Sequence, residues 1–191
     1  RRVPAANREV VGGTWRQHVG RNLTGSTVGI IGCGHVGKDL VELLKPYECT
    51  ILIHDILDFS DFDRAKGTRS VTLEELLRAS DVVTLHVPLD DSTRHMLNAQ
   101  RLALMKTSAI LINVARGGLV DEVALKLRLK GNLLAGAAFD VFAVEPPQDL
   151  ELLALDNFLV TPHIGGSSQE AILAMGRAAI DGLDTHHIPG A

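Results

Sequence analysis

The chain has 191 residues, of which 46% are hydrophobic and 22% charged, and its formal net charge at pH 7 is −4. This length is typical of one ordinary domain, or one domain and part of another, with a core that needs no disulfides. The acidic balance argues against nucleic-acid binding, two cysteines against a disulfide framework or metal site, and the lack of an apolar run of ~18 residues against a membrane span. We expect a soluble, cytoplasmic protein without a metal.

Short, apolar and β-branched segments alternate with helix-like segments along the chain. The predicted strands cover residues 27–31, 50–54, 81–87, 109–114, 133–141 and 158–161. The predicted helices cover residues 36–44, 72–78, 98–105, 121–130 and 167–183. Near-continuous apolar strands are typical of a parallel sheet that is buried on both faces. The alternation therefore predicts an α/β fold, a doubly wound parallel sheet with helices on both faces.

Several helix boundaries carry recognisable signals. Thr72 with Glu75 three residues later forms a capping box, and Asn98 occupies a favourable N-cap position. Gly131 follows a basic last turn, which is typical of a helix end. These signals support the helical segments independently of hydrophobic periodicity.

The sharpest local signal is the sequence GCGHVG at residues 32–37, which follows a predicted strand and begins a predicted helix. This is the context that a dinucleotide-binding turn requires. Gly32 permits the tight turn, Gly34 lets the backbone approach a pyrophosphate, and Gly37 allows close packing of helix on strand. The N–H groups at the helix start favour a phosphate.

Asp55 follows the second predicted strand, where a carboxylate can accept hydrogen bonds from the ribose hydroxyls of an adenosine. The same carboxylate would repel a 2′-phosphate, so the predicted cofactor is NAD rather than NADP. Arg64, Lys66 and Arg69 follow closely enough to weaken that preference. The alternative is a glycine turn followed by an ordinary surface aspartate.

Arg116 follows the predicted strand at residues 109–114 and precedes Gly117 and Gly118. Ligands of open α/β sheets bind outside the carboxyl ends of the strands, and a guanidinium can hold a carboxylate through two parallel hydrogen bonds. The alternative is an arginine that forms an ion pair at the sheet edge. The flanking glycines favour a ligand, and both interpretations stay open.

Two further chemistry-bearing residues, Glu145 and His163, also follow predicted strands. Histidine donates and accepts protons near neutral pH, and a neighbouring carboxylate favours its charged form and fixes its tautomer. Sequence separation does not show whether the two side chains touch, and a hydrogen-bonded loop histidine is the alternative. His86 ends another strand beside Pro88, and we expect it to line a cofactor cleft without doing chemistry.

Taken together, the motifs of this chain are specific. They are TVGIIGCGHVG at 27–37, HVPL at 86–89, NVARGG at 113–118, FDVF at 139–142 followed by EP at 145–146, and TPHIGG at 161–166. With these motifs, nearly the whole chain resembles the cofactor-binding domain of the D-isomer-specific 2-hydroxyacid dehydrogenases, in particular their D-3-phosphoglycerate dehydrogenase-like branch. The resemblance implies a Rossmann-like fold and reversible hydride transfer between NAD and a small 2-hydroxy or 2-keto acid.

The resemblance also assigns roles to residues. Arg116 is expected to bind the substrate carboxylate and carbonyl, His163 to act as the general acid and base, and Glu145 to pair with that histidine. Asp140 is expected near the nicotinamide carboxamide. The implied cofactor site comprises Gly32, Gly34, His35, Val36, Gly37, Asp55, His86, Val87, Pro88, Val114, Ala115, Arg116, Asp140, His163, Gly165 and Gly166.

The implied organisation is an interdomain helix at residues 1–20, an NAD-binding domain at 21–183 and a C-terminal tail at 184–191. Family members also have a substrate domain, which we expect to be largely absent here, so the isolated chain should turn over poorly. A homodimer through the cofactor domain is expected. The alternatives are an NAD(H)-sensing dimeric module of the corepressor type and a domain that binds nothing. The set Arg116, Glu145 and His163 favours an enzyme, because a sensor needs only the glycine loop and Asp55.

Overall fold

A parallel sheet of seven strands organises residues 2–185, the part of the chain that the computed structural model describes. The strands are β1 Thr27–Ile31, β2 Thr50–His54, β3 Arg69–Ser70, β4 Val82–Leu85, β5 Ile110–Asn113, β6 Gly136–Phe139 and β7 Phe158–Val160. Their order is β3-β2-β1-β4-β5-β6-β7, and every neighbouring pair is parallel. This arrangement confirms the predicted doubly wound sheet. The predicted C-terminal tail lies outside the described residues from residue 186 onward.

Helices connect the strands. They are α1 Val3–Val11, α2 His35–Leu44, α3 Ser60–Lys66, α4 Leu73–Ala79, α5 Ala99–Leu102, α6 Glu122–Lys130, α7 Leu150–Leu153 and α8 Gln169–Thr185. Two predicted helix starts are confirmed, because the side chains of Thr72 and Asn98 accept backbone N–H groups of the first turns of α4 and α5.

Some predicted boundaries are wrong. The strand predicted at 133–141 covers only Gly136–Phe139, and the one predicted at 81–87 covers only Val82–Leu85, because the flanking residues leave the sheet to form loops. The N-terminal helix covers only Val3–Val11, since Gly12 and Gly13 end it and Gly13 adopts a φ of +83°. The short elements α3, β3 and α7 are not among the predicted segments.

Alternate residues of the central strands pack into two different clusters. Val28 and Ile30 of β1 contact the layer that contains Val41 of α2, whereas Ile31 belongs to the larger cluster that contains Leu76 of α4. All five side chains are almost fully buried. The two clusters hold the carboxyl ends of β1 and β4 in fixed positions, because well-packed cores deform little.

The two terminal helices differ from the others. No residue of α1 is buried, and α8 exposes apolar side chains such as Met175 and Leu183. Within residues 2–185, no helix is long and apolar enough to cross a membrane.

Candidate functional site

The strand order reverses between β1 and β4, and in open α/β sheets this is the position of the ligand crevice. The loop after β1 begins at Gly32, which has a φ of +94°. A Cβ at Gly32 would lie 2.7 Å from the backbone carbonyl of His86 in the loop after β4. Only a glycine therefore allows the two loops to approach this closely.

The two other glycines of the loop differ in their surroundings. A Cβ at Gly37 would lie 2.3 Å from the carbonyl oxygen of Gly32, so α2 packs directly on the turn. A Cβ at Gly34 would meet no atom within 4 Å. The first turn of α2 also has no side-chain cap, which leaves its N–H groups available to an anion. The turn therefore fits the pyrophosphate of a dinucleotide.

Asp55 connects the end of β2 to this turn. Its Oδ2 accepts the backbone N–H of Cys33 at 2.7 Å, and its Oδ1 accepts that of Leu57 at 3.0 Å. Each carboxylate oxygen keeps a further lone pair for a ribose hydroxyl.

The three cations that could weaken an NAD preference are engaged elsewhere. Each forms an exposed or partly exposed ion pair: Arg64 with Asp61, Lys66 with Glu42, and Arg69 with Glu75. None of these pairs includes Asp55, whose carboxylate forms no ion pair with any residue that the structure describes.

A cleft of about 320 Å³ lies at the carboxyl ends of β4 and β5. It is lined by Val36, His86, Val87, Pro88, Val114, Ala115 and Arg116. All seven belong to the predicted cofactor site, and the start of α2 and the loops after β4 and β5 contribute them. The structure therefore brings this part of the prediction together in one place.

His86 is half-buried in this cleft. Its Nε2 lies 3.0 Å from Oγ1 of Thr84, and burial lowers the pKa of His86. The imidazole is therefore neutral at pH 7, which agrees with a lining role. Thr84 lies outside the predicted site, although a polar residue inside an apolar strand is a signal that could have found it.

Glu145 and His163, which sequence separation alone left unconnected and which the resemblance pairs, are in contact. His163 Nδ1 lies 2.9 Å from Glu145 Oε2, and Glu145 Oε1 accepts the backbone N–H of Phe142 at 3.0 Å. These hydrogen bonds, that from His163 first, lower the pKa of Glu145. The carboxylate is therefore charged at neutral pH, and Nε2 of His163 is the nitrogen that can exchange a proton with a ligand.

His163 adopts a φ of +54°, an uncommon conformation for a residue with a side chain. Its N–H donates to the carbonyl of Asp140 at 2.8 Å. Burial raises the pKa of Asp140, but the Thr161 hydroxyl and the N–H groups of Ile164 and Gly165 outweigh it, and the net pKa is lowered. The buried, charged Asp140 thus fixes the turn that carries His163.

A second cavity of about 380 Å³ lies against Glu145 and His163. Its walls are largely apolar and include Phe142, Leu153 and Val160. The pair itself remains partly exposed, with 52% of the His163 side chain and 40% of the Glu145 side chain accessible to solvent.

Arg116 is exposed and donates from Nη1 to the carbonyl of Ala115 at 2.7 Å. It forms no ion pair with any residue that the structure describes, so the alternative of a sheet-edge ion pair is not observed. The structure does not bring Arg116 into contact with His163. The loop that carries Arg116 does touch the loop that carries Glu145, because a Cβ at Gly117 would lie 1.8 Å from the carbonyl oxygen of Phe142.

The remaining predicted residues, His35, Gly165 and Gly166, are not among the residues that line the 320 Å³ cleft. His35 begins α2 and is exposed, and Gly166 lies in the turn before α8 with open space where a Cβ would point. Gly165 N–H donates to Asp140 at 2.8 Å. Thr161, which lies outside the predicted site, also donates its hydroxyl group to Asp140.

Comparison with known proteins agrees with this geometry. Residues 1–165 match the model of the family described as "D-isomer specific 2-hydroxyacid dehydrogenase, NAD binding domain". The chain is 41% identical over 179 residues to D-3-phosphoglycerate dehydrogenase of Methanocaldococcus jannaschii, covering 92% of this chain and 34% of that protein.

Solved structures show the same fold. A glyoxylate reductase from Paecilomyes thermophila superposes with a TM-score of 0.90 at 29% identity, covering 97% of this chain and 57% of that one. A D-lactate dehydrogenase from Aquifex aeolicus, complexed with NAD and lactic acid, superposes with a TM-score of 0.87 at 29% identity, covering 96% and 60%. This chain thus spans between a third and three fifths of these relatives. It belongs to the D-isomer specific 2-hydroxyacid dehydrogenase family and contains the NAD-binding domain of that family.

Proposed function

We propose that this chain is the cofactor-binding and proton-transferring part of an NAD-dependent D-2-hydroxyacid dehydrogenase. The observation that carries the proposal is the Glu145–His163 pair, which lies at the carboxyl edge of the sheet that also presents the glycine loop. The related D-lactate dehydrogenase with NAD and lactic acid supports the choice of ligands. The relatives are named for different acids, so the proposal extends to the class of 2-hydroxy acids and to no single member.

Four parts of the crevice would hold NAD. The N–H groups at the start of α2 would bind the pyrophosphate, and Gly34 would let it approach. Asp55 would accept the ribose hydroxyls and repel a 2′-phosphate. His86 and Val114 would line the cleft toward the nicotinamide.

Reduction of a 2-keto acid needs a hydride at the carbonyl carbon and a proton at its oxygen. NADH, when bound, supplies the hydride. His163 would give the proton from Nε2, and Glu145 would hold Nδ1 and stabilise the imidazolium beforehand. In the oxidation direction, the neutral ring would take the proton back from the hydroxyl group.

Arg116 would orient the acid. Its guanidinium is exposed, and its hydrogen bond among the described residues is to the neighbouring Ala115 carbonyl, so it can turn toward a ligand without breaking an ion pair within residues 2–185. A planar guanidinium can hold a carboxylate through two parallel hydrogen bonds. The proposed catalytic residues are therefore Arg116, Glu145 and His163.

The proposal includes the domain organisation, the homodimer and the cytoplasmic location expected from the sequence. Free Cys33 and Cys49 suit a reducing compartment. Trp15 and Val19 are 83% and 98% exposed, an apolar surface that a second copy would cover. Sedimentation velocity should give twice the 20.5 kDa of one chain, and a single monomeric species would contradict the dimer. No comparison supports the corepressor alternative.

The test of the catalytic assignment is His163→Ala in the complete dehydrogenase that contains this domain. We expect kcat to fall by about 10²–10⁴-fold, the usual contribution of general acid–base assistance, while the Kd for NADH is unchanged. Exposed His95 is a matched control, and His95→Ala should retain wild-type kcat. An unchanged kcat in His163→Ala would remove this residue from the mechanism.

A further inference from the structure

We propose that Glu122 is a positioning residue. It anchors the backbone of the loop that carries Glu145, and this holds the Glu145 carboxylate against His163. The proposal deepens the proposed function, on which its catalytic meaning rests. Glu122 is the first residue of α6 and lies outside the predicted site.

The start of α6 is a rigid support. Asp121 caps the helix by accepting the N–H of Ala124 at 3.0 Å, and its own N–H donates to the carbonyl of Leu97 at 3.1 Å. Val120 and Leu125 on either side are almost fully buried. The Glu122 side chain therefore extends from a backbone that packing and hydrogen bonds fix in place.

From this support, Glu122 reaches the loop that carries Glu145. Its Oε1 accepts the backbone N–H of Ala143 at 2.8 Å. On the same peptide, the carbonyl of Phe142 lies against Gly117, where a Cβ would come within 1.8 Å. The Phe142–Ala143 peptide is thus held by the Glu122 carboxylate at its N–H and by close packing at its carbonyl.

The preceding N–H of the loop acts on the catalytic carboxylate. Phe142 N–H donates to Glu145 Oε1 at 3.0 Å, while Glu145 Oε2 contacts His163 Nδ1 at 2.9 Å. The Glu145 side chain is 40% exposed, so few other contacts restrain it. If the loop turned, Glu145 would lose the first bond and gain the rotamer freedom to leave His163.

A competing account is that Glu122 acts only through its negative charge. Two conservative substitutions separate the accounts. Glu122→Asp keeps the charge but is one methylene too short to reach the Ala143 N–H. Glu122→Gln removes the charge but keeps an oxygen that accepts this bond.

The experiment is a ¹³C NMR titration of the Glu145 carboxyl in the 191-residue chain, without cofactor. Loss of the hydrogen bonds from His163 and Phe142 raises the pKa of Glu145, since those bonds lower it. We therefore expect Glu122→Asp to raise the pKa of Glu145 toward its ordinary value and Glu122→Gln to leave it unraised. If only charge acts, Glu122→Asp leaves the pKa of Glu145 unchanged, and Glu122→Gln lowers it by removing a negative neighbour.

The charged groups that face Glu145 in every variant are His163 and Asp140, and both stay in place. Glu75→Ala is a matched control, because it removes an acidic residue from the first turn of α4, which packs against β1 and β2 instead. An unchanged Glu145 titration in Glu122→Asp, or a rise in Glu122→Gln or Glu75→Ala, would overturn the proposal. The titration does not depend on turnover, so an inactive complete enzyme would count against the proposed function alone.

Discussion

Three carboxylates at the carboxyl edge of the sheet share one mode of support, since each accepts backbone N–H groups of nearby loops. Asp55 holds the turn after β1, and Asp140 holds the turn that carries His163. Glu145 holds its own loop, which follows β6. Bonds from backbone donors to a charged acceptor are strong and directional. The charge of these residues therefore determines the shape of the loops as well as the binding of ligands.

Asp140→Asn tests this mode of support. The amide has one acceptor oxygen where the carboxylate uses two, so either Ile164 or Gly165 loses its partner. We expect a loss of about 1–3 kcal/mol in the free energy of unfolding at pH 7, measured by urea denaturation. Asp156→Asn, an exposed aspartate, should change the unfolding free energy by less than about 0.5 kcal/mol.

The difference in unfolding free energy between wild type and Asp140→Asn depends on pH, and the pKa of Asp140 gives the sign of that dependence. The pKa of Asp140 is lower in the folded chain than its ordinary value of 3.8. Its stabilisation is therefore present above that ordinary value and is lost as the pH falls through the folded value. The stability difference between wild type and Asp140→Asn should shrink at acid pH, and a difference that grows there would contradict the assignment.

Single residues also show what the sequence does not reveal. Arg116, Glu145 and His163 could be selected because each follows a predicted strand. The contact between Glu145 and His163 follows only from the family resemblance and not from the residues alone, because it depends on the path of two loops and on a histidine with a φ of +54°. The bond from Ala143 to Glu122 crosses between separate elements, and no local pattern marks it.

At the scale of elements, predictability follows the length and burial of each segment. The bounds of β1 and β2 match the predicted ones, because apolar β-branched runs end there at polar or glycine residues. The short helix α3 depends on Gly67 in the left-handed conformation and on Phe59 and Phe62, which pack beside the smaller cluster. Such elements are stabilised mainly by tertiary contacts, which periodicity does not record.

Two alanine substitutions in the glycine loop, at Gly37 and at Gly34, should have different effects. Gly37→Ala places a Cβ 2.3 Å from a backbone oxygen, so the variant should lose about 1–3 kcal/mol of unfolding free energy. Gly34→Ala meets no atom within 4 Å and has ordinary backbone angles, so it should fold as wild type. Because its methyl group faces the expected pyrophosphate, Gly34→Ala should weaken NADH binding by about tenfold or more, or about 1.4 kcal/mol.

Urea denaturation and calorimetry separate the two effects. Gly34→Ala with wild-type NADH affinity would mean that the dinucleotide does not approach the backbone there. Gly37→Ala with wild-type stability would contradict the close packing of α2 on the turn.

At the scale of the whole molecule, the reversal of strand order brings distant loops to one crevice. The described helices α1 and α8 leave most of their apolar side chains exposed, and the chain spans 34% of its relative from M. jannaschii. Under the proposed domain organisation, a substrate domain would supply the opposite wall of the crevice, and turnover would require its contacts. The proposed NAD-binding residues all lie in the described chain, so we expect cofactor binding without that domain.

The most direct test of this account is a calorimetric titration of the 191-residue chain with NADH and, in parallel, with NADPH. The account predicts saturable NADH binding, at least about tenfold tighter than NADPH binding, because the Asp55 carboxylate repels a 2′-phosphate. Asp55→Ala should weaken NADH binding and reduce the difference between the two cofactors. A folded chain that gives no binding heat with NADH, or that binds NADPH equally tightly, would contradict the assignment of the crevice.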